Sequence, residues 1–501
     1  MMPEIKRLLV STTLALVLAS AVDAQVERST VTGAITDTSG AMVVDANITI
    51  RNVSTNIETK AQSNSSGIYY LPSLLPGQYE LRVEHAGFKP QVISDIPLTA
   101  NLTATFNVTL QVGEVTQAIT VQATAVQLES QTSSVGKVIT TRALADLPSF
   151  NRDALQLSDI APGAQPMAGA VSTVNGGIQE QTGEPSTVVR LSGGLSNQNG
   201  VLTDGGESRA FHAISASIVP MESIAEFRLD MATYSAEFGR SGGGVFNIVT
   251  KSGTNQFHGV GYEFLQNNNL NANSWQNNRN DIPNSLYQQN IFGAAIGGPV
   301  VKNKFFFFFN YEGLRQGSPI QSLNTVPTAL QAKGDFSQTL ATTGAPDIVY
   351  DPNTTAPNPS SPGAYIRSPF PGNQVPNTRI NAVSQAVLPY WPAPNRPGEG
   401  PTHFNNYFVS GKYITKTDTY VARTDYYISD KHRLFGRFNA EQNDDYAGGL
   451  PKQDVALVSE SVISSPIRNA MIGLTSMFSP SVIGEFRLGY LRIQMNDHWD
   501  D

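Results

Sequence analysis

The chain has 501 residues, 40% of them hydrophobic, and 33 basic against 41 acidic side chains give a net charge of −8. The length exceeds one ordinary domain, and no apolar run reaches the roughly 18 residues that a membrane-spanning helix needs. An acidic balance without basic blocks argues against nucleic acid as a partner, and the absence of cysteine removes disulfides, thiolate catalysis and cysteine-based zinc sites together.

Residues 1–24 carry a targeting pattern. Lys6 and Arg7 form a positive start, Leu8 to Leu18 a short apolar run, and Val22-Asp23-Ala24 a small-residue cleavage site. The protein is expected to be exported, with the leader cut after Ala24.

From residue 25 to 112 short alternating runs are separated by turn clusters. Val31 and Ile35 share a face, as do Ile48 and Ile50, then Tyr79, Leu81 and Val83, then Phe106, Val108 and Leu110. Period-two alternation between Asp37–Gly40, Ser63–Gly67 and Pro76-Gly77 predicts a small β-sandwich. The strings VTGAITDTSGAMVVDANITIRN and SNSSGIYYLPSLLPGQYELRVEHAGFKP resemble the carboxypeptidase regulatory-like domain, a carbohydrate-binding-like fold. The resemblance implies a fold and no activity. The six histidines are scattered and form no H-E-x-x-H set, which argues against a peptidase.

Residues 113–125 read as a linker. Within it Ile119, Thr120, Val121, Gln122 and Ala123 form a short β-prone peptide suited to pairing with the sheet edge of another protein. In position and composition the peptide is similar to the TonB box of energy-coupled outer-membrane receptors. A strand that finishes the preceding sandwich is the other reading.

Residues 126–252 hold a compact α+β domain. TRALADLPSFNRDALQLSDIAPG predicts two short helical turns, the second capped by Asn151. VRLSGGLSNQNGVLTDGGESR predicts two strands joined by a Gly/Asn turn, Pro220 a helix start, and Ile224 to Met231 a strand. The string from VPMESIAEF to NIVTK resembles the signature of receptor plug domains. The carry-over falls on Glu222, Ile224, Glu226, Tyr234, Gly239, Gly242, Gly243, Gly244, Asn247, Thr250 and Lys251. Met231-Ala232-Thr233 replaces the more usual Arg-Gly-Pro, as in the Oar-like branch of the family. Ser241-Gly-Gly-Gly-Val lacks the spacing of a nucleotide-binding loop, so backbone permissiveness, both φ > 0 and close chain approach, is the expected role of the triplet. Glycine-only torsions are expected there, where the chain leaves the last plug strands for the barrel wall.

Residues 253–501 become alternating segments of about ten residues or more, the length a tilted membrane strand requires. Seven are read: 254–266, 286–298, 304–316, 412–427, 431–442, 462–478 and 482–493. Val482, Phe486, Leu488 and Tyr490 oppose Glu485, Arg487 and Gly489, while Leu434, Gly436 and Phe438 oppose Arg437, Asn439 and Glu441. Phe305 to Phe309 is uniformly aromatic and its facing is open. Short and long connections alternate, as in an outer-membrane barrel with periplasmic turns and extracellular loops. Seven strands do not close a plugged lumen of roughly 22 strands, so a piece of a longer barrel is expected.

The fold class expected is mainly β: a β-sandwich, an α+β plug and the first strands of an antiparallel transmembrane β-barrel. The resemblance implies a TonB-dependent receptor of the bacterial outer membrane, with its N-terminal domain in the periplasm. Its partners would be a TonB-type energy-coupling protein, outer-membrane lipid and a scarce small-molecule, glycan or peptide ligand. No catalytic, cofactor or metal residue is implied. The alternative is a surface-binding or adhesion protein anchored by its barrel.

Overall fold

The computed structural model describes residues 28–113, 119–122, 135–147, 152–166, 189–194, 198–208, 219–231, 234, 238–239, 241–279, 283–284, 287–448, 461–479, 482–494 and 496–499. The expected leader, Ala123 and Asn151 lie outside them.

The first body is a sandwich of two sheets. Strands β1 (Ser29–Asp37), β2 (Asn47–Asn52), β3 (Glu58–Gln62), β4 (Ile68–Leu74), β5 (Gly77–Glu84), β6 (Gln91–Leu98), β7 (Thr103–Thr105) and β8 (Val108–Leu110) follow the alternating runs. One sheet is ordered β4-β1-β7, with β8 also on β1; the other is β3-β2-β5-β6-β9, where β9 is Ile119–Gln122. Val31, Ile35, Ile48, Ile50, Leu71, Leu81 and Leu110 are fully enclosed between the sheets. Each such aliphatic side chain contributes roughly 1.5–3 kcal/mol on burial. Phe106 departs from the expected run: it sits in the break between β7 and β8, only partly buried against this core.

The second body is a five-stranded sheet. It comprises β10 (Val135–Thr140), β13 (Gly200–Thr203), β14 (Gly206–Glu207), β15 (Ile224–Met231) and β16 (Gly244–Thr250), in the order β10-β15-β16-β13-β14. The separate pair β11 (Ala164–Pro166) and β12 (Val189–Leu191) lies beside it. The two strands expected to pair across a Gly/Asn turn, β12 and β13, thus belong to different sheets. The nearest hairpin is β13–β14, whose Asp204 and Gly205 both take positive φ (49° and 77°). Asp-Gly with two positive φ values matches the tight hairpin turn that suits the strand twist.

A one-turn helix, Thr141–Asp146, is capped by Thr140. The next turn, Ala154–Ile160, is a 3-10 helix capped by Asp153, which accepts from the Leu155 amide at 2.9 Å. The cap therefore falls at Asp153 rather than Asn151. Complete enclosure pushes the Asp153 carboxyl up to about 6. Every residue of β16 is buried, because it lies in the middle of the sheet with β15 on one side and β13 on the other.

The third body is one antiparallel sheet curved around the second. Its strands are β17 (His258–Asn267), β18 (Gln288–Val301), β19 (Phe305–Asn324), β22 (Tyr407–Ser429), β23 (His432–Gly448), β24 (Ser461–Ser479) and β25 (Val482–Ile493), in chain order. β26 (Asn496–Trp499) pairs with the start of β24. The β19–β22 connection carries its own two-stranded ladder, β20 (Ala356–Pro357) with β21 (Tyr365–Ile366). β19 and β22 run 20 and 23 residues, well beyond the roughly ten that cross a bilayer, so their pairing continues outside it.

Register explains the facing. The row Ile296–Phe309–Ala422–Phe438–Ala470–Tyr490 points outward, and its large members are exposed. The adjacent row Gly297–Phe308–Arg423–Arg437–Met471–Gly489 points inward. The aromatic run divides in the same way: Phe306 and Phe308 are buried inside, while Phe309 is exposed.

Candidate functional site at the second body and the wall

Two inward guanidiniums on neighbouring wall strands, Arg423 and Arg437, are directly paired in register. Like charges placed opposite each other repel. The conflict is resolved by the second body, whose β13–β14 turn inserts Asp204 between them. Arg423 Nη1 lies 2.8 Å from Asp204 Oδ1, and Arg437 Nε 2.9 Å from Oδ2. All three side chains are at most 1% exposed.

The same carboxylate fastens the end of β16. Thr250 donates its amide to Oδ1 at 2.9 Å and its hydroxyl to Oδ2 at 2.7 Å. Burial alone would raise the Asp204 carboxyl, but the Arg423 and Arg437 charges and the Thr250 donors outweigh it and hold it below the usual carboxylate range.

The network spreads along the wall. Arg423 Nε donates to Asp425 at 2.9 Å, and Asp425 also receives Arg433 and the Ser252 hydroxyl. Arg437 Nη2 donates to Asn469 at 3.0 Å, and Asn469 donates to Ser208 at 3.1 Å. Asn310 on β19, the strand beside β22, reaches Ser223 at 2.8 Å. A buried set of this kind holds two bodies in one relative position, because breaking it strands charge away from water.

Several residues of the plug-like signature meet here. Ile224 and Asn247 are buried within the sheet, Thr250 ligates Asp204, and the Lys251 amide donates to Ser223 O at 2.7 Å. Burial lowers the Lys251 ammonium, with the Glu222 charge opposing that shift. Glu222 is paired to Arg152, which lies 3.9 Å over the Phe264 ring of β17. Tyr234 donates to Ser241 O at 2.5 Å and packs edge-on to Phe238, closing the turn before β16. Gly239 is exposed and meets nothing.

Glu226 is turned the other way, toward the sandwich, and accepts from the Ala100 amide. Its burial pushes the carboxyl up to about 7, against the Ala100 donor and Arg228. Asn255 completes the meeting of the three bodies: its amide donates to Ser54 O at 3.1 Å, and its side chain accepts from the Asn303 amide at 2.8 Å.

The glycine triplet corrects one expectation. None of Gly242, Gly243 and Gly244 takes a positive φ, and they lead into β16 rather than out of it. They are needed for close approach. A Cβ on Gly244 would stand 2.8 Å from Asp230 O, and one on Gly243 2.5 Å from Asn199 Oδ1. The passage to the wall is made later, at residues 251–255.

Ile119–Gln122 lies apart from this network. It pairs in parallel with β6, Ile119 opposite Gln91 and Gln122 opposite Ser94, at the edge of the sandwich. Asp204, Arg423 and Asp425 are not singled out by the sequence, and Arg437 is assigned there to the inner face alone. Their only local signal is the polar inward alternation Arg423-x-Asp425, which names a face and no partner.

Known families match two of the three bodies. The carboxypeptidase regulatory-like domain matches residues 30–111, and the outer membrane beta barrel domain matches residues 249–501. The TonB-dependent transporter Oar of Myxococcus xanthus is 30% identical over 307 residues, which is 57% of this chain and 26% of that protein. The chain thus spans about a quarter of the length of that curated relative. Among solved structures it is similar to the outer membrane transporter YddB from Escherichia coli (12% identity, TM-score 0.41, 69% of this chain and 37% of that one). The siderophore receptor PirA from Acinetobacter baumannii is similar at 14% identity and TM-score 0.37, over 73% of this chain and 46% of that one. With outward apolar rows, an inward polar face and a barrel match across half its length, the chain belongs to the outer-membrane β-barrel family and carries a carboxypeptidase regulatory-like domain ahead of the barrel.

Proposed function

We propose that this chain supplies the sandwich, the plug and part of the wall of a TonB-dependent outer-membrane receptor that takes up a scarce ligand. The observation that supports it best is the Asp204–Arg423–Arg437 junction, which seats a separately folded sheet against the inner face of a membrane wall. An anchor for adhesion has no use for a fastened insert. A gated pore does, since the insert must be held until work is applied.

In this reading Ile119–Ala123 is the handle. TonB grips it, and the inner-membrane proton gradient does the work, so neither nucleotide nor metal takes part and no bond of the ligand is changed. In the resting chain the handle is paired to β6. A four-residue edge strand whose Thr120, Val121 and Gln122 are exposed is held by few backbone bonds and peels away at small cost. Ligand would be taken from outside by the long loops. The 325–406 segment presents Tyr365 and Tyr390, each about 70% exposed, with Trp391 beside the latter. Such rings offer stacking surfaces.

The test is binding of the periplasmic domain of the cognate TonB. Deleting residues 119–123 is expected to abolish capture while leaving the chain folded in the membrane. Capture that survives the deletion contradicts the assignment of the handle.

A further inference from the structure

Between the sandwich and the inner mouth of the wall lies a crevice of about 400 Å³. Its sandwich side includes Arg28, Ser73 and Glu58, and its wall side Lys304, Lys431 and Arg433. The wall part belongs to the inward row: Tyr427, Arg433 and Thr475 are register partners on three adjacent strands. The crevice therefore opens toward the lumen mouth and the periplasmic turns, not toward hydrocarbon.

Its charge is cationic. Four basic side chains line it, Arg433 already paired through one Nη to Asp425, against the carboxylates of Glu58 and Asp430, and Glu58 is drawn to Lys60 at 3.3 Å. Two donors at its surface are enclosed and unmatched. Arg433 is 8% exposed, and its Nε–H has no acceptor; the Ser73 hydroxyl is likewise buried without a partner. Ser73 is held there by a left-handed backbone (φ 60°). Buried donors without acceptors are costly, and an oxyanion satisfies several at once.

We propose that this crevice is a binding site for a soluble phosphate-type oxyanion, inorganic phosphate or a small phosphomonoester. Arg433 offers its Nε edge, Ser73 its hydroxyl, and the turn lysines Lys304 and Lys431 the neutralising charge. Because both bodies contribute, an occupied site ties the sandwich to the wall. The proposal does not depend on TonB coupling.

The experiment is calorimetric titration of the full chain in phosphatidylcholine nanodiscs with inorganic phosphate, repeated with phosphatidylglycerol in the discs. Saturable binding at millimolar phosphate or below is expected, weakened about tenfold in Lys304→Gln/Lys431→Gln. Thr59→Trp, which fills the crevice from the edge strand β3 without removing charge, is expected to weaken it as well; Lys333→Gln, which removes a charge in the 325–406 segment away from the lining, retains it. Acetylation of Lys304 and Lys431 supplies a second measurement. If only phosphatidylglycerol discs protect the two lysines and free phosphate does not bind, the occupant is a lipid headgroup and the soluble assignment is overturned. No saturable binding in either disc, or binding indifferent to the double variant, overturns the site itself.

Discussion

Replacing Asp204 by alanine is expected to cost about 3–5 kcal/mol in the stability of the seated plug, the range found when one partner of a buried ion pair is removed. Arg423 and Arg437 would then face each other across adjacent strands with no carboxylate between them. Thr250 would lose both acceptors in the same step. Low-dielectric surroundings give repulsion its weight here; at an exposed site the same exchange would be worth under about 1 kcal/mol. Limited proteolysis at the β13–β14 turn measures the release, because Asp204 in that turn is enclosed between Arg423 and Arg437 of the wall. Adding Arg437→Met to the alanine variant removes the surplus charge and is expected to restore part of the loss. An alanine variant as protease-resistant as the parent would show that the junction does not hold the plug.

The second large effect is expected at Gly253, the residue at which the chain passes from plug to wall. A Cβ there would stand 2.4 Å from both Gly298 O and Phe307 O, with Gly298 N at 3.0 Å. All three neighbours are backbone atoms of β18 and β19, paired in the wall, so none can swing aside as a side chain would. Overpacking of a well-filled site costs roughly 1–3 kcal/mol, and more where only backbone can yield. Gly253→Ala is therefore expected to lower the denaturation midpoint of the wall by about 3 kcal/mol or more in free energy. Gly239→Ala, whose Cβ would meet nothing, is expected to leave it unchanged and serves as the control.

These two positions show which parts of the fold a linear pattern carries. Alternation reports facing wherever one side of a strand meets hydrocarbon and the other meets polar protein. That condition holds at Leu434 to Glu441 and at Val482 to Ile493, where outward and inward positions separate in the structure as they do in the sequence. It fails at Phe305 to Phe309, because Phe306 and Phe308 are buried on the inner face, beside Asp425 and Arg423 of β22, while Phe309 is exposed on the outer one, so both faces carry the same residue type. The long ladder extensions of β19 and β22, residues 317–324 and 407–411, carry no strand pattern in the sequence, since residues beyond the bilayer have no need to alternate.

The junction itself is a different kind of information. Asp204 meets side chains 219 residues away at Arg423 and 233 away at Arg437 (437 − 204), and no local periodicity encodes that meeting. A carboxylate in a T-D-G-G turn reads as turn chemistry, which it also is. Of the two freedoms expected of the glycine triplet, positive φ and close chain approach, only the second is used. Its requirement is proximity to Asp230 O and Asn199 rather than torsion, a property of the neighbours that a sequence does not display. Likewise, Ile119–Gln122 is β-prone on its face, but its choice of β6 as partner appears only once the sandwich edge is in place.

The strands after residue 253 form a membrane wall, with hydrocarbon outside and the second body inside. The natural absence of cysteine allows single spin labels to be placed one at a time from Leu434 to Glu441 in the chain held in a bilayer. Labels at 434, 436, 438 and 440 are expected to be relaxed by lipid-soluble oxygen, and those at 435, 437, 439 and 441 to be shielded from both oxygen and a water-soluble relaxant. Alternate positions equally open to the water-soluble reagent would mean that both faces of β23 meet water, and the wall, with the transport reading built on it, would be contradicted.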